Sequence, residues 1–139
     1  IAGLDMRRDL SSLIALYVAG LCGIGYGLRQ IIDVQAKAGA RVDRIVISGG
    51  AGRSHAIRQL LADTTGIEVA APLSEEPVLL GAAILGSVAA QSHTSINDAM
   101  LAMSGFGSRY QPGGEKTVHE ARFAIFEELQ SVARKAALI

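Results

Sequence analysis

Gly49, Gly50, Ala51 and Ser54 are the residues of this chain whose types and spacing suit ligand binding. They follow Ile45, Val46 and Ile47, a short β-branched run that reads as a buried strand. A strand that ends in glycines and leads into a helix leaves backbone N–H groups exposed at one spot. Glycine has no Cβ, so a ligand can approach the main chain closely. Ser54 reads as the N-cap of a helix carrying Ile57, Leu60 and Leu61. The dipole of that helix adds partial positive charge at its start. A Gly-Gly pair after a strand also serves simply to turn a chain. The stretch is neither a phosphate loop ending in Gly-Lys-Ser/Thr nor a GxGxxG fingerprint.

Other reactive side chains are scattered. Glu75 and Glu76 stand together and have the composition of an acid–base pair. They also precede Pro77, a residue suited to the first helical position, where carboxylates face the positive end of the dipole. Helix capping is the simpler account. His55, His93 and His119 are too widely spaced for a ligand set and read as surface or helix-end residues. His55, beside the glycine turn, is the best placed of the three to touch a ligand. Cys22 falls in an apolar helical run and reads as a buried, inert thiol. No metal ligands and no catalytic residue are assigned.

The elements that must position the turn follow from the pattern. A chain of 139 residues that is 50% apolar supports one domain with a real core. Aromatic residues make up only 4%, so small side chains must do much of the packing. Thirteen basic residues balance 13 acidic ones, which removes the electrostatic case for nucleic acid. The single cysteine suits a reduced, cytoplasmic setting. Ile1 in place of Met suggests a piece of a longer protein.

Residues 10–28 carry no charge, and about 20 apolar residues are enough to span a bilayer. Gly23 and Gly27 form a small-xxx-small pair. Against a span, serines and glycines dilute the run, Asp9 reads as an N-cap, and the helical pattern continues through Arg29, Asp33 and Lys37 to Gly39. The expectation is a buried soluble helix over residues 9–38.

Residues 54–65 predict an amphipathic helix closed by Gly66, and residues 67–71 a strand ended by Pro72. Strand, helix and strand in that order predict a parallel pair with a crossover helix. In the helix after Pro77, Gly81, Ala82 and Gly86 predict a flat face against a sheet. Residues 95–103 read as a short helix with Ser95 and Asp98 in a capping-box arrangement and with Met100 and Met103 as core fillers. Residues 104–114 read as a glycine-rich loop, and residues 115–137 as a closing amphipathic helix with Phe123, Phe126 and Leu129 on one side.

Taken together, the run Ser48-Gly49-Gly50-Ala51, then Ser54, Gln59, Leu61-Ala62-Asp63, Gly66, Val69, Pro72, Glu76 and Leu80-Gly81-Ala82-Ala83 resembles the C-terminal domain of the FGGY carbohydrate kinases. Arg29-Gln30-Ile31-Ile32 before it and Tyr110-Gln111-Pro112 after it are similar too, so the resemblance covers nearly the whole chain. The stretch from Glu76 to Gly86, with Ala99-Met100, is most similar to the ribulokinase and ribitol kinase branch.

The resemblance implies an α/β fold: the C-terminal part of an actin-like, ribonuclease-H-like ATPase domain, with a short sheet packed by helices. It implies a single nucleotide-binding segment over residues 1–139, with the sugar-binding N-terminal domain outside this chain. It implies transfer of the ATP γ-phosphoryl to a hydroxyl of a sugar or polyol, with a pentulose or pentitol favoured by the branch. It also implies Mg2+ alongside ATP. Gly49, Gly50 and Ala51 would hold the adenosine end, and Ser54 would touch the base or ribose while capping its helix. The catalytic base and the phosphate loops belong to the part outside this chain, so the fragment alone is expected to be inactive. Asp63 is read as structural. The partners implied are ATP and the sugar or polyol, without nucleic acid or membrane, and with homodimer formation left open. The rival readings are a non-catalytic actin-like nucleotide-binding or scaffold module, and a membrane-associated protein built on residues 10–28.

Overall fold

The computed structural model describes residues 6–137. Helix α1 (Leu10–Lys37) leads into strand β1 (Arg44–Val46), a 3-10 turn (Ala51–Arg53) and helix α2 (His55–Thr65). Strand β2 (Glu68–Pro72), helices α3 (Pro77–Ala89) and α4 (Ile96–Met103), strand β3 (Phe106–Tyr110) and helix α5 (Lys116–Ala136) complete it. The sheet has the order β1-β2-β3. β1 and β2 run parallel in the register Arg44↔Glu68, Ile45↔Val69 and Val46↔Ala70, with α2 as the crossover. The predicted parallel pair is therefore present.

β3 corrects the expectation of a loop over residues 104–114. It pairs antiparallel with β2, Val69 facing Tyr110 and Ala70 facing Arg109, with an irregularity between Ala70 and Pro72. Four of its five residues are exposed, so the strand lacks the apolar alternation that announces a half-buried strand. Backbone pairing, rather than burial, specifies it.

The helix ends follow their caps. Asp9 accepts from the Ser12 N–H at 2.7 Å and Ser95 from the Asp98 N–H at 3.1 Å. Gly39 and Gly66 take φ of +88° and +71°, the left-handed region that ends α1 and α2.

Helix α2 is packed on both sides. Leu61, Ala62 and Val69 form a buried cluster with Ile45, Ile47, Ile57 and Tyr110 against it, joining α2 to the sheet. Cys22, Tyr26 and Phe123 form a second cluster with Leu60 and Phe126, joining α2 to α1 and α5. There Gly25 lets α1 close on α2: a Cβ at Gly25 would lie 2.0 Å from Thr64 Oγ1. Cys22 is buried, as expected, and burial raises its thiol pKa, which keeps it protonated.

Several packing expectations are corrected. The buried residues of α1 are Cys22, Gly25, Tyr26 and Ile32, none of them before Cys22, while Leu10, Leu13, Ile14 and Tyr17 are exposed. By length and composition α1 is also apolar enough to cross a membrane. β1 is an edge strand with Val46 exposed, not a buried one. The small residues of α3 do not meet the sheet, and a Cβ at Gly81 or Gly86 would touch nothing within 4 Å. Met100 and Leu129 are exposed rather than packed in the core. His119 is 4% exposed, not a surface residue, and its Nδ1 pairs with the Tyr26 hydroxyl at 2.9 Å.

Candidate functional site

The glycine turn opens directly from β1. The Ile47 N–H donates to Ala70 O at 3.1 Å, the last sheet bond before the chain leaves the ladder. Gly49 takes φ +85°, where an L side chain would be strained. The Arg53 N–H donates to Gly50 O at 3.2 Å and closes the 3-10 turn that Ala51 begins. Ser54 then caps α2, its hydroxyl accepting from the Ile57 N–H at 3.4 Å.

Beside the turn lies a cavity of about 430 Å³. Ile47, Ser48, Gly49, Gly52 and Arg53 of the turn line it, together with His55 and Arg58 of α2. Pro72, Ser74, Glu75 and Pro77, from the end of β2 to the start of α3, and Ser108 of β3 complete the lining. Clefts that hold small ligands have volumes of roughly 300–1,000 Å³. The lining combines side-chain-free backbone with hydroxyls, an imidazole, two guanidiniums and one carboxylate. Such a surface can seat a flat ring and hydrogen-bond polar groups on its edge.

Of the four residues singled out in the sequence, Gly49 lines this cavity. Gly50 and Ser54 are adjacent in the chain but do not line it, and Ala51 contributes the first residue of the 3-10 turn. His55 does line it, bonded through Nδ1 to the Tyr110 hydroxyl. Glu75 reaches the cavity as well. Glu76 holds the N-cap position of α3 but makes no side-chain cap bond. Its carboxylate pairs instead with Arg53 at 2.9 Å, bridging the turn to α3, which corrects the capping expectation. The Glu76 N–H donates to Ser74 Oγ at 3.2 Å. The Pro77 ring sits at the start of α3 as expected.

Asp63 lies away from the cavity in a tie between elements. It accepts from Gln59 Nε2 at 2.8 Å and from the Gly113 N–H at 2.7 Å, fastening α2 to the segment after β3. Arg58, Ser74 and Ser108 escaped the sequence reading, and Tyr110 entered it only through the resemblance, without a role at the site. Arg58 stands four residues past the Ser54 cap, one turn along the same face, a spacing that could have marked it. Ser108 and Tyr110 belong to the strand that carries no apolar signal.

Among the described residues no three His, Cys, Asp or Glu side chains converge to hold a metal ion. Mg2+ at nucleotide sites is held by phosphates with one or two carboxylates, and the lining supplies one carboxylate, Glu75.

Comparison with known proteins gives this geometry a family. The model described as the FGGY family of carbohydrate kinases, C-terminal domain, matches residues 1–90. An FGGY carbohydrate kinase domain-containing protein of Danio rerio is 34% identical over 130 residues, covering 93% of this chain and 24% of its own length. A D-ribulokinase of Saccharomyces cerevisiae is 34% identical over 92 residues, covering 66% of this chain and 13% of that protein. The crystal structure of Plasmodium falciparum glycerol kinase with ADP superposes with a TM-score of 0.70 at 18% identity, over 95% of this chain and 26% of that one. The shared fold is the actin-like ATPase fold. The chain spans about a quarter of the first of these relatives. With the family model matched over residues 1–90 of 139, the chain belongs to the FGGY family of carbohydrate kinases and corresponds to its C-terminal domain.

Proposed function

We propose that the intact protein is an ATP-dependent carbohydrate kinase and that this chain seats the adenosine end of ATP at the turn formed by Gly49, Gly50, Ala51 and Ser54. The observation that carries the reading is the cavity of about 430 Å³ beside side-chain-free backbone at Gly49 and Gly52, rimmed by hydroxyls and Arg53. The volume and the glycine backbone in the lining suit a nucleoside. In phosphoryl transfer most of the catalysis is positioning and charge stabilisation around the phosphates. The part played by this chain is to hold the nucleotide in place and turn its phosphates toward the acceptor. Mg2+ on those phosphates, the base and the sugar pocket belong to the rest of the protein.

The acceptor is proposed to be a pentulose or pentitol, supported by the likeness to the D-ribulokinase. A cytoplasmic setting belongs to the same proposal and rests on the free thiol of Cys22.

Gly50→Val in the intact protein tests the seat. A Cβ at Gly50 meets nothing within 4 Å, so the added side chain has room and the turn can keep its shape. The KM for ATP is expected to rise about tenfold or more, with the sugar KM unchanged. An unchanged ATP KM would remove the turn from the nucleotide site. A panel of D-ribulose, D-xylulose, ribitol and glycerol with ATP tests the acceptor. ADP binding without phosphorylation of any of them, or of wider polyols and ketoses, would favour a non-catalytic module instead.

A further inference from the structure

We propose that Arg58 is the positioning residue of the glycine turn: it fixes the Gly52 carbonyl, with Tyr110 and His55 as its support, and so sets the backbone against which the nucleotide rests. The inference rests on the reading of the turn as the nucleotide seat.

Gly52 is buried against the end of β1. A Cβ there would lie 3.0 Å from Ile47 Cγ1 and 3.3 Å from the Ile47 carbonyl carbon and oxygen. The turn is thus pressed onto the strand from one side. From the other side Arg58 Nε donates to the Gly52 carbonyl oxygen, which stands before the α2 cap and outside the helix ladder. A hydrogen bond from a cationic donor is about twice as strong as a neutral one and is highly directional.

The guanidinium is itself held. Arg58 Nη1 donates to the Tyr110 hydroxyl at 3.4 Å, and its central carbon lies 5.8 Å from the centre of the Tyr110 ring. The Tyr110 hydroxyl also bonds His55 Nδ1, and the two rings lie 5.9 Å apart. One side chain therefore ties the turn, α2 and β3 together at the cavity wall. Guanidinium geometry suits this: Nε serves the carbonyl while Nη1 serves the phenol, a fork that an ammonium cannot reproduce.

The test uses the intact protein with Arg58→Ala, Arg58→Lys and Tyr110→Phe. The dissociation constant for ADP is read by calorimetry, the KM for the sugar by assay, and the folded state by thermal unfolding. Loss of a charge-assisted bond to a backbone carbonyl predicts about tenfold or more weaker ADP binding in Arg58→Ala. Arg58→Lys should recover part of it, and Tyr110→Phe should weaken ADP severalfold, with the sugar KM unmoved in each. Wild-type ADP affinity in a folded Arg58→Ala overturns the proposal. So does a loss shared equally by ADP and sugar, which would mark a purely structural residue. If Arg58→Ala does not fold, Tyr110→Phe decides: unchanged ADP affinity overturns the proposal. Gly50→Val separates the two claims. If it leaves ATP binding intact, the seat itself is misplaced; if it weakens ATP and Arg58→Ala leaves ADP binding intact, only the role of Arg58 falls.

Discussion

At the scale of single residues, the stability of this chain turns on a few close approaches. Gly25 has Thr64 Oγ1 and Cβ within 2.0 and 2.8 Å of the position a Cβ would take, while Gly27 on the same helix has nothing within 4 Å. Gly25→Ala is therefore expected to destabilise by about 1–3 kcal/mol through overpacking. Gly27→Ala should be neutral or stabilising by up to about 1 kcal/mol, from helix propensity. Urea unfolding of both variants checks the contrast, and equal effects would show that α1 and α2 do not meet at Gly25. The Tyr26 and His119 pair makes a second case. Tyr26→Phe leaves the buried Nδ1 of His119 without its partner, at an expected cost of about 1–3 kcal/mol by the same measurement. Neither contact could be read in the sequence. Tyr26 and His119 lie 93 residues apart, and nothing local to either names the other. The caps at Asp9, Ser54 and Ser95 were legible because a cap is satisfied within three residues of itself.

At the scale of elements, ion pairs fasten strand to strand and helix to helix. Arg44 on β1 pairs with Glu68 opposite it on β2, and Arg29 on α1 pairs with Glu120 on α5 at 2.8 Å, the Arg29 guanidinium lying 4.2 Å from the Phe123 ring centre. The hydrogen bond from Arg44 lowers the Glu68 pKa below its ordinary 4.5, and the bond from Arg29 does the same for Glu120. A carboxylate with a depressed folded pKa adds stability above its unfolded pKa, and that stability is lost as pH falls through the folded value. Unfolding midpoints measured against pH should therefore be flat from neutrality to about 5 and fall below the usual carboxylate range near 4.5. Arg44→Gln should make that fall shallower; an unchanged slope would mean that the pair on β1 and β2 adds nothing. Glu120 is exposed, which keeps its share modest and salt-sensitive, whereas Glu68 is half-buried between the two strands. Element types were mostly legible, because α2, β1 and β2 carry strong periodicity and glycine stops. The exception, β3, is written as Phe106-Gly107-Ser108-Arg109-Tyr110, which has turn composition and takes its structure from β2.

At the scale of the molecule, burial is concentrated where α2 meets its two neighbours. Ala62, Val69 and Ala70 are fully enclosed, whereas α3 and α4 pack mainly on each other, with Val78 83% and Leu101 84% exposed. Amide hydrogen exchange on this chain should follow that division. The slowest amides are expected in α2 and β2, and faster ones in the first half of α1 and in α3, because local opening there breaks few buried contacts. Uniform protection along α1 would contradict the division. The sequence reading placed α1 and Met100 in a core and the small face of α3 on a sheet because apolar composition signals burial without saying against what. The candidate site was half legible. The glycine turn and His55 could be found from residue types, whereas Ser74 sits in the segment after β2 and Ser108 reaches the cavity through the pairing of β2 and β3.

That pairing bears on how the unit can be divided. The family match ends at residue 90, whereas the strand bearing Ser108 and Tyr110 begins at Phe106. A severed protein ending at residue 90 would keep the glycine turn yet lack the phenol that steadies Arg58 and the Ser108 part of the cavity lining. Such a severed protein and a separate peptide from residue 91 onward should behave as a complementation pair, with ADP recovered by the mixture and by neither half.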